Sequence, residues 1–258
     1  MKEYWSKLLE NGIILAVVTG VAYYLTYLNL DGVLAAYALP DEFIEIDAPD
    51  IIATLIDLVY KFWGVLMIPA FGLLLGRVIK NAEFVRLWRF SIVMLTSVVF
   101  SISLLNRFES KCWILLGIML FEWAELLMRT MAYGRGVKGL RAKWDKYLQR
   151  EKTAPKTNER VAMGIGYLAV TIAVMYVLSG AVMEHAATEQ LNRTDYFVAR
   201  DYDDKVMIFD NGKSYVLMAR NGSALLPNYE VVRYDHIGKL DYVHTGVLTL
   251  PEGYTLSD

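Results

Sequence analysis

Long apolar runs in the first 185 residues restrict the fold of this chain more than any other feature. A membrane-crossing helix needs ~20 mostly apolar residues, because the hydrocarbon core is ~30 Å thick and a helix rises ~1.5 Å per residue. Backbone groups find no water in hydrocarbon, so such runs must be helical. We therefore expect an α-helical membrane bundle of about five transmembrane helices over residues 1–187. The predicted spans are 13–30, 53–79, 90–105, 112–131 and 161–183.

The first run has a rival interpretation as a cleaved secretory signal. Ala36-Tyr37-Ala38 has the small residues of a cleavage site. However, the leader before the apolar run is long and contains Glu3 and Glu10. We therefore predict that the first apolar run is not cleaved and remains in the protein as a transmembrane helix.

The distribution of Lys and Arg predicts the orientation. The loop 31–50 contains six acidic residues and no Lys or Arg, whereas 129–160 contains ten Lys and Arg and three acidic residues. Short cytoplasmic loops carry the excess of basic residues. We expect a bacterial inner-membrane protein with a cytoplasmic N-terminus and a C-terminal domain outside the cytoplasm. One misassigned span would move that domain to the cytoplasm.

Residues 188–258 have the composition of a soluble domain, and from Asp195 onward the apolar pattern changes to the period of two that is typical of strands. Asn211-Gly212 predicts a hairpin with a type I′ turn, and Asn221-Gly222 predicts a second turn. We expect a small antiparallel sheet or partly closed barrel of about five strands. Because about 70 residues form a marginal core, the domain should pack against its own helices or against other copies. The predicted strands are 196–199, 205–209, 214–218, 229–234 and 242–248.

A basic connector, residues 136–150, precedes the last span. Its apolar residues recur at helical spacing among basic ones, which suits an anionic membrane surface at ~1 kcal/mol per Lys or Arg. An interfacial helix that only sets the topology is one alternative, and a nucleotide-binding surface is another, although no Gly-rich phosphate loop accompanies it. The basic residues are Lys138, Arg141, Lys143, Lys146 and Arg150.

Charged residues inside the predicted spans are the strongest indication of function. Glu122, Glu125 and Arg129 share one helix face. A charge at the bilayer centre costs ~3 kcal/mol or more, so this face should turn to the bundle interior, another subunit or a water path. Asp57 and Lys61 form a second pair at helical spacing. Both sets are compatible with a polar pathway for ions or protons, or with an ion-pair network that fixes helix packing.

Small residues in the second and third spans are also candidates. Ser97 and Ser101 share a helix face and either line a wet path or bond to neighbouring turns. Gly72 and Gly76 form a GxxxG pattern for close helix packing. Pro69 should kink the same helix, since it removes a backbone donor.

Residues for catalysis or metal binding are not indicated. His236, Asp241 and His244 are close in sequence, but their spacing matches no metal pattern. The sequence contains no GxSxG, HExxH or GxxxxGK[ST] motif. The single cysteine, Cys112, excludes a disulfide within the chain. We expect no cofactor, no metal and no enzymatic activity.

The stretch 23–47, YYLTYLNLDGVLAAYALPDEFIEID, resembles the first span and outer loop of multi-span prokaryotic membrane proteins. The layout of spans followed by a compact domain resembles small bacterial membrane effectors that assemble as oligomeric channels in phage defence. Those effectors usually keep the sensing domain in the cytoplasm, which differs from the orientation predicted here.

Three hypotheses for the function follow. The first is a non-enzymatic homo-oligomeric channel or pore that the β domain stabilises or gates. The second is a membrane-anchored sensor whose β domain recognises a partner, for instance at the hairpin 209–214. The third is a membrane enzyme or proton-coupled transporter, which the lack of internal repeats disfavours. The predicted partners are the lipid bilayer and further copies of the chain, with an unidentified protein or nucleotide ligand left open.

Overall fold

The computed structural model describes residues 2–57, 59–60, 67, 82–153, 157–202 and 205–249. Within these ranges the helices are α1 (Lys2–Ala36), α2 (helical over 48–57), α3 (Ala82–Leu105), α4 (Cys112–Tyr133), α5 (Leu140–Thr153) and α6 (Thr157–Leu191). The strands are β1 (Asp195–Ala199), β2 (Lys205–Asp210), β3 (Ser214–Asn221), β4 (Ala224–Arg233) and β5 (Leu240–His244). The predicted helical region followed by a C-terminal antiparallel sheet is therefore confirmed.

Two helices in the described part of the chain contain a segment long and apolar enough to cross a membrane: Leu87–Leu105 in α3 and Gly166–Leu191 in α6. α4 has 22 residues, but charged side chains interrupt its apolar sequence. Most of the predicted second span, 53–79, lies outside the described residues. A bundle of five spans therefore stays a prediction.

The chain divides into two compact units. One unit consists of Met1–Tyr60 and Ala181–Asp258, and the other consists of Lys61–Gly180. α6 contributes to both, and the predicted domain boundary at residue 188 lies inside this helix. The β-sheet thus shares a unit with α1, which is distant in sequence.

The sheet of the first unit has the strand order β4-β3-β2-β1-β5, with every neighbouring pair antiparallel. β1 to β4 form a meander, and β5 returns to the free side of β1. One face of the sheet covers the C-terminal ends of α1 and α6. The β domain therefore packs against two helices of its own chain, one of which, α6, is a candidate membrane span. The shared core includes Leu34, Tyr37, Ala187, Tyr196, Val206 and Val216.

The end of α1 is shaped by a left-handed residue. Ala38 has φ +50°, and the Leu39 amide donates to the Leu34 carbonyl at 3.0 Å. This is the Schellman arrangement, in which glycine is the usual left-handed residue. The cap turns the chain so that Tyr37 and Leu39 enter the core with the sheet.

Both predicted turns are present and connect antiparallel strands, but the type predicted for the first is not observed. In the β2–β3 turn the positive φ belongs to Gly212 (+82°) and not to Asn211, so a type I′ turn is wrong. Instead, Asn211 Oδ1 accepts from the Lys213 and Ser214 amides and organises a three-residue loop. In the β3–β4 turn Gly222 (φ +63°) is the first central residue, which is the type II′ pattern.

The second unit is built on a helical hairpin of α3 and α4. Its core joins these helices to α6 through Met94, Cys112, Leu115 and Val177. Trp123 Nε1 on α4 donates to Ser91 Oγ on α3 at 2.8 Å. α5 then packs back onto the hairpin. Its first residue is Leu140, because Gly136 (φ +86°) and Gly139 (φ +92°) in the predicted connector are not helical.

Candidate functional site

The charged edge of α4, formed by Glu122, Glu125 and Arg129, lies at the surface of the single chain. Arg129 Nη2 and Glu125 Oε1 are 2.5 Å apart, with side chains 47% and 36% exposed. Glu122 is half-buried and has no ion-pair partner among the described residues. The three side chains follow one line at spacings of three and four. The surface position of these side chains is compatible with two of the predicted environments, a second subunit or a water path.

Large apolar side chains are exposed beside this charged edge. At helical angles of ~100° per residue, they occupy the arc next to Glu125 and continue around the outer side of α4. The exposed side chains of α4 include Ile114, Leu120, Phe121, Leu127 and Met128. This face therefore combines apolar side chains, which prefer contact with lipid or protein, with an ion pair, which is unfavourable in lipid.

The predicted serines of α3 lie apart from the charged edge. Ser97 is buried and donates to the Val93 carbonyl at 2.8 Å. Ser101 is fully buried, and its hydroxyl has no hydrogen-bond partner in the described part of the chain. No described contact joins either hydroxyl to Glu122 or Glu125. Their burial favours the packing interpretation over a wet path.

The remaining predicted residues of the second span fall largely outside the described residues. Asp57 is described and exposed. Lys61, Pro69, Gly72 and Gly76 lie outside, so the second ion pair, the kink and the GxxxG contact stay predictions.

The basic helix α5 uses its apolar face within the protein. Tyr147 is buried against Leu87 of α3 and Leu126 of α4, with Trp144 and Trp123 beside them. Gly134 permits this approach, since a Cβ there would meet Lys143 and lie 2.9 Å from the Thr130 carbonyl oxygen. Part of the apolar face of α5 is therefore occupied within the protein, and contact of this helix with an anionic membrane surface stays a prediction.

The basic residues of α5 have two different environments. Lys146 Nζ donates to the Arg135 carbonyl at 3.0 Å, and Lys143 Nζ lies 3.6 Å from Met131 Sδ. Lys138 and Arg141 are exposed. The side-chain environment of Arg150 lies outside the description. The exposed basic residues thus extend from the connector before α5 into the helix, with Lys138, Arg141 and Lys146.

A groove between α4 and α5 was not indicated by the sequence. It has a volume of about 550 Å³ and is walled by Trp123, Leu126, Leu127 and Thr130 from α4 and by Leu140, Arg141 and Trp144 from α5. The walls are almost entirely apolar, and Arg141 is the charged residue among them. Only the fold-back of α5 brings the two indoles together, so no local sequence pattern could have revealed this groove.

The turn between α3 and α4 contains an ion pair, Lys111 with Glu109, that the sequence did not predict. Lys111 Nζ lies 2.8 Å from Glu109 Oε1 and 6.0 Å from the centre of the Tyr176 ring on α6. Gly180 leaves room for the ammonium, since a Cβ there would be 2.7 Å from Nζ. Residues two apart in a turn share no helix face, which is why sequence periodicity gave no signal.

In the first unit, polar side chains join the loop after α1 to the β2–β3 turn. Lys213 Nζ lies 2.5 Å from Glu45 Oε2. At the start of α2, the Asp50 amide donates to Asp47 Oδ1 (3.0 Å) and the Asp47 amide to Asp50 Oδ2 (3.1 Å), as in a capping box. Burial raises the pKa of Asp50 above its ordinary value, and the nearby carboxylates of Asp47 and Asp210 raise it further. The hydrogen bond from the Asp47 amide lowers this pKa but does not offset the increase.

The histidines are near carboxylates, not near one another. His244 Nδ1 and Asp195 Oδ1 are 2.8 Å apart across the β1–β5 pair. Hydrogen bonds from Thr194 and His244 lower the pKa of the Asp195 carboxyl. His236 lies 3.8 Å from Asp235, and His185 lies 3.6 Å from Glu189. Among the described side chains, no group of three His, Cys, Asp or Glu is arranged to hold a metal ion.

Comparison with known proteins gives no relative. The chain matches no protein family, no curated protein and no solved structure.

Proposed function

We propose that this chain forms a homo-oligomeric membrane channel or pore of five-span subunits, without enzymatic activity. The observation that carries the proposal is the surface position of Glu122 and of the Glu125–Arg129 pair among exposed apolar side chains of α4. A single subunit surrounded by lipid would leave these charges against acyl chains, at ~3 kcal/mol or more for a charge near the bilayer centre. Association of α4 faces around a shared axis gives the charges water and covers the apolar neighbours.

Ion selectivity follows from the same geometry. Glu122 carries a carboxylate without an ion-pair partner in the described residues, whereas Glu125 is paired with Arg129. Repeated around an axis, the unpaired carboxylate becomes a negative ring, and such rings favour cations. We therefore propose cation selectivity, with Glu122 as its main determinant.

The packing in the first unit supports the proposed orientation. The C-terminal ends of α1 and α6 both contact the same sheet. If both helices cross the membrane, these ends lie on one side with the β domain, and the N-terminus with Lys2 and Lys7 lies on the other. Under the positive-inside rule the N-terminus is cytoplasmic, which puts the β domain outside. There the sheet would stabilise or gate the pore.

Ion flux through liposomes containing the purified full-length chain tests the proposal. Replacing both carboxylates (Glu122→Gln with Glu125→Gln) should lower the ratio of cation to anion permeability severalfold. Glu230→Gln, which removes an exposed carboxylate from β4, should leave it unchanged. Unchanged selectivity in the double variant would remove the assigned role, and the absence of flux in the wild type would refute the channel.

A second function, recognition of a partner by the β domain, is favoured by exposed aromatic side chains on its edge strands. Tyr229 on β4 and Tyr242 on β5 are 43% and 65% exposed. The size of the detergent-solubilised particle separates the two functions. A monomer without a central path would favour the binding protein, and a symmetric ring with Glu122 near its axis would favour the channel.

A further inference from the structure

The groove between α4 and α5 has the shape and the composition of a site for an amphiphile. Its volume of about 550 Å³ is within the range of ligand-binding pockets, ~300–1,000 Å³. The indoles of Trp123 and Trp144 and the side chain of Leu127 form its apolar walls. The hydroxyl of Thr130 is satisfied by the Leu126 carbonyl at 2.8 Å, so it adds no free polar group to the walls.

Arg141 brings a positive charge to this groove. Arg141 is part of the lining and is exposed, and Lys138 is exposed in the connector just before α5. The first turn of α5 contains no acidic residue, and the first acid of the helix is Asp145. An occupant that complements these walls has one anionic group for Arg141 and an apolar tail for the space between the indoles.

The place of the groove in the chain selects the kind of amphiphile. Its α5 wall lies in the segment 129–160, which contains ten Lys and Arg and three acidic residues, and its α4 wall adjoins Glu125. Such segments lie on the cytoplasmic side, where anionic lipids attract them. Trp144 lies in this segment, and tryptophan is enriched at the level of the headgroups. Tyr147 and Trp144 of α5 are packed against α3 and α4, whereas Leu140 at the groove is 59% exposed and available to lipid.

We infer that the groove between α4 and α5 binds one anionic phospholipid, with its phosphate at Arg141 and an acyl chain between Trp123 and Trp144. The site requires that this unit lies in a membrane, as the proposed function does, but it requires neither a pore nor an oligomer. One Lys or Arg near an anionic lipid contributes ~1 kcal/mol, which corresponds to about fivefold in affinity. The preference for an anionic over a zwitterionic lipid should therefore depend on Arg141.

Native mass spectrometry of the detergent-purified full-length chain tests the site. With phosphatidylglycerol or phosphatidylcholine of identical acyl chains added, we expect about fivefold tighter binding of phosphatidylglycerol to one site per chain. Arg141→Gln should abolish this preference, whereas Arg233→Gln, which removes an exposed arginine from β4, should preserve it. Equal binding of both lipids to the wild type would overturn the inference.

A groove-filling variant tests the acyl-chain part independently of charge. Leu127 and Leu120 are both exposed on α4, but only Leu127 lines the groove. Leu127→Phe should weaken phosphatidylglycerol binding severalfold, and Leu120→Phe should not. Equal binding by the two variants would refute the groove as the site. If the wild-type chain shows no ion flux but still prefers phosphatidylglycerol, the channel is refuted and the lipid site is supported.

Discussion

The packing of α1 against α6 depends on the absence of a side chain at Gly32. This glycine lies where α1 packs against α6, and a Cβ there would collide with the Met183 carbonyl oxygen and lie 2.9 Å from Met183 Cα. Both obstacles are backbone atoms, which cannot rotate away. Gly20 on the same helix has no atom within 4 Å of the equivalent position. The two glycines look alike in the sequence, and only the contact with a residue 151 positions away (183 − 32) separates them.

Gly32→Ala should therefore destabilise the unit that contains the sheet. Forcing a methyl group into a packed contact costs ~1–3 kcal/mol, so we expect a lower melting temperature of the detergent-solubilised chain. Gly20→Ala should leave stability unchanged or raise it, since alanine is the better helix former by up to ~1 kcal/mol. Equal melting temperatures for the two variants would contradict the close approach of α1 and α6.

At the scale of elements, local patterns were predictable and fold-back contacts were not. The period of two over residues 195–244 identified the strands, because alternating burial is a property of each strand alone. The sequence Asn211-Gly212 identified a hairpin but not its turn, since the side chain of Asn211 bonds to the backbone and keeps its own φ negative. The basic pattern of α5 was recognised, yet its burial against Leu126 depends on a turn that places it on α4.

The start of α2 provides a pH-dependent prediction. The folded pKa of Asp50 is raised, so folding favours its protonated form. The stability that this group contributes is therefore greatest below its unfolded pKa of about 3.9 and declines as pH rises through the raised folded pKa. Asp50→Asn is permanently neutral and can still accept from the Asp47 amide.

The melting temperature of Asp50→Asn should accordingly match the wild type at pH 3 and exceed it at pH 7, the difference growing between these values. Asp50→Ala loses the acceptor of the capping box and should be less stable than Asp50→Asn by about 1 kcal/mol at pH 7. Asp145→Asn, on the exposed side of α5, serves as the control for loss of one carboxylate. A difference that is independent of pH would exclude Asp50 as the titrating group.

For the whole molecule, the order of the apolar runs predicted helices and a sheet, but it did not predict which of them share a unit. α1 joins the sheet through Leu34 and Tyr37, and Tyr37 Oη lies 3.3 Å from Tyr196 Oη. Contacts across 159 residues leave no periodic trace in one sequence. The charged edge of α4 was predicted from residue spacing alone. That it is exposed on the single chain could not be predicted, because this depends on α3 and α6 packing against the opposite side of α4.

The proposed orientation predicts the labelling of single cysteines. In a Cys112→Ala background, Lys239→Cys in the β domain should react with a membrane-impermeant maleimide in intact spheroplasts. Lys138→Cys at the start of α5 should react only after permeabilisation, because the basic segment faces the cytoplasm. Both lysines are exposed, so a difference in labelling reports the side of the membrane and not burial. The reverse pattern would place the sheet in the cytoplasm.

The core formed by residues 33–39 and residues 186–248 cannot assemble until the end of the chain has been synthesised. When the end of α1 leaves the ribosome, the strands that will cover Leu34 and Tyr37 have not been translated. At ~5–20 residues per second, the missing partners arrive roughly 10–40 s later. During that interval the first helix end needs a substitute cover, such as lipid or a chaperone. A nascent chain arrested before Asp195 should therefore be recognised as incomplete, however well its helices have inserted.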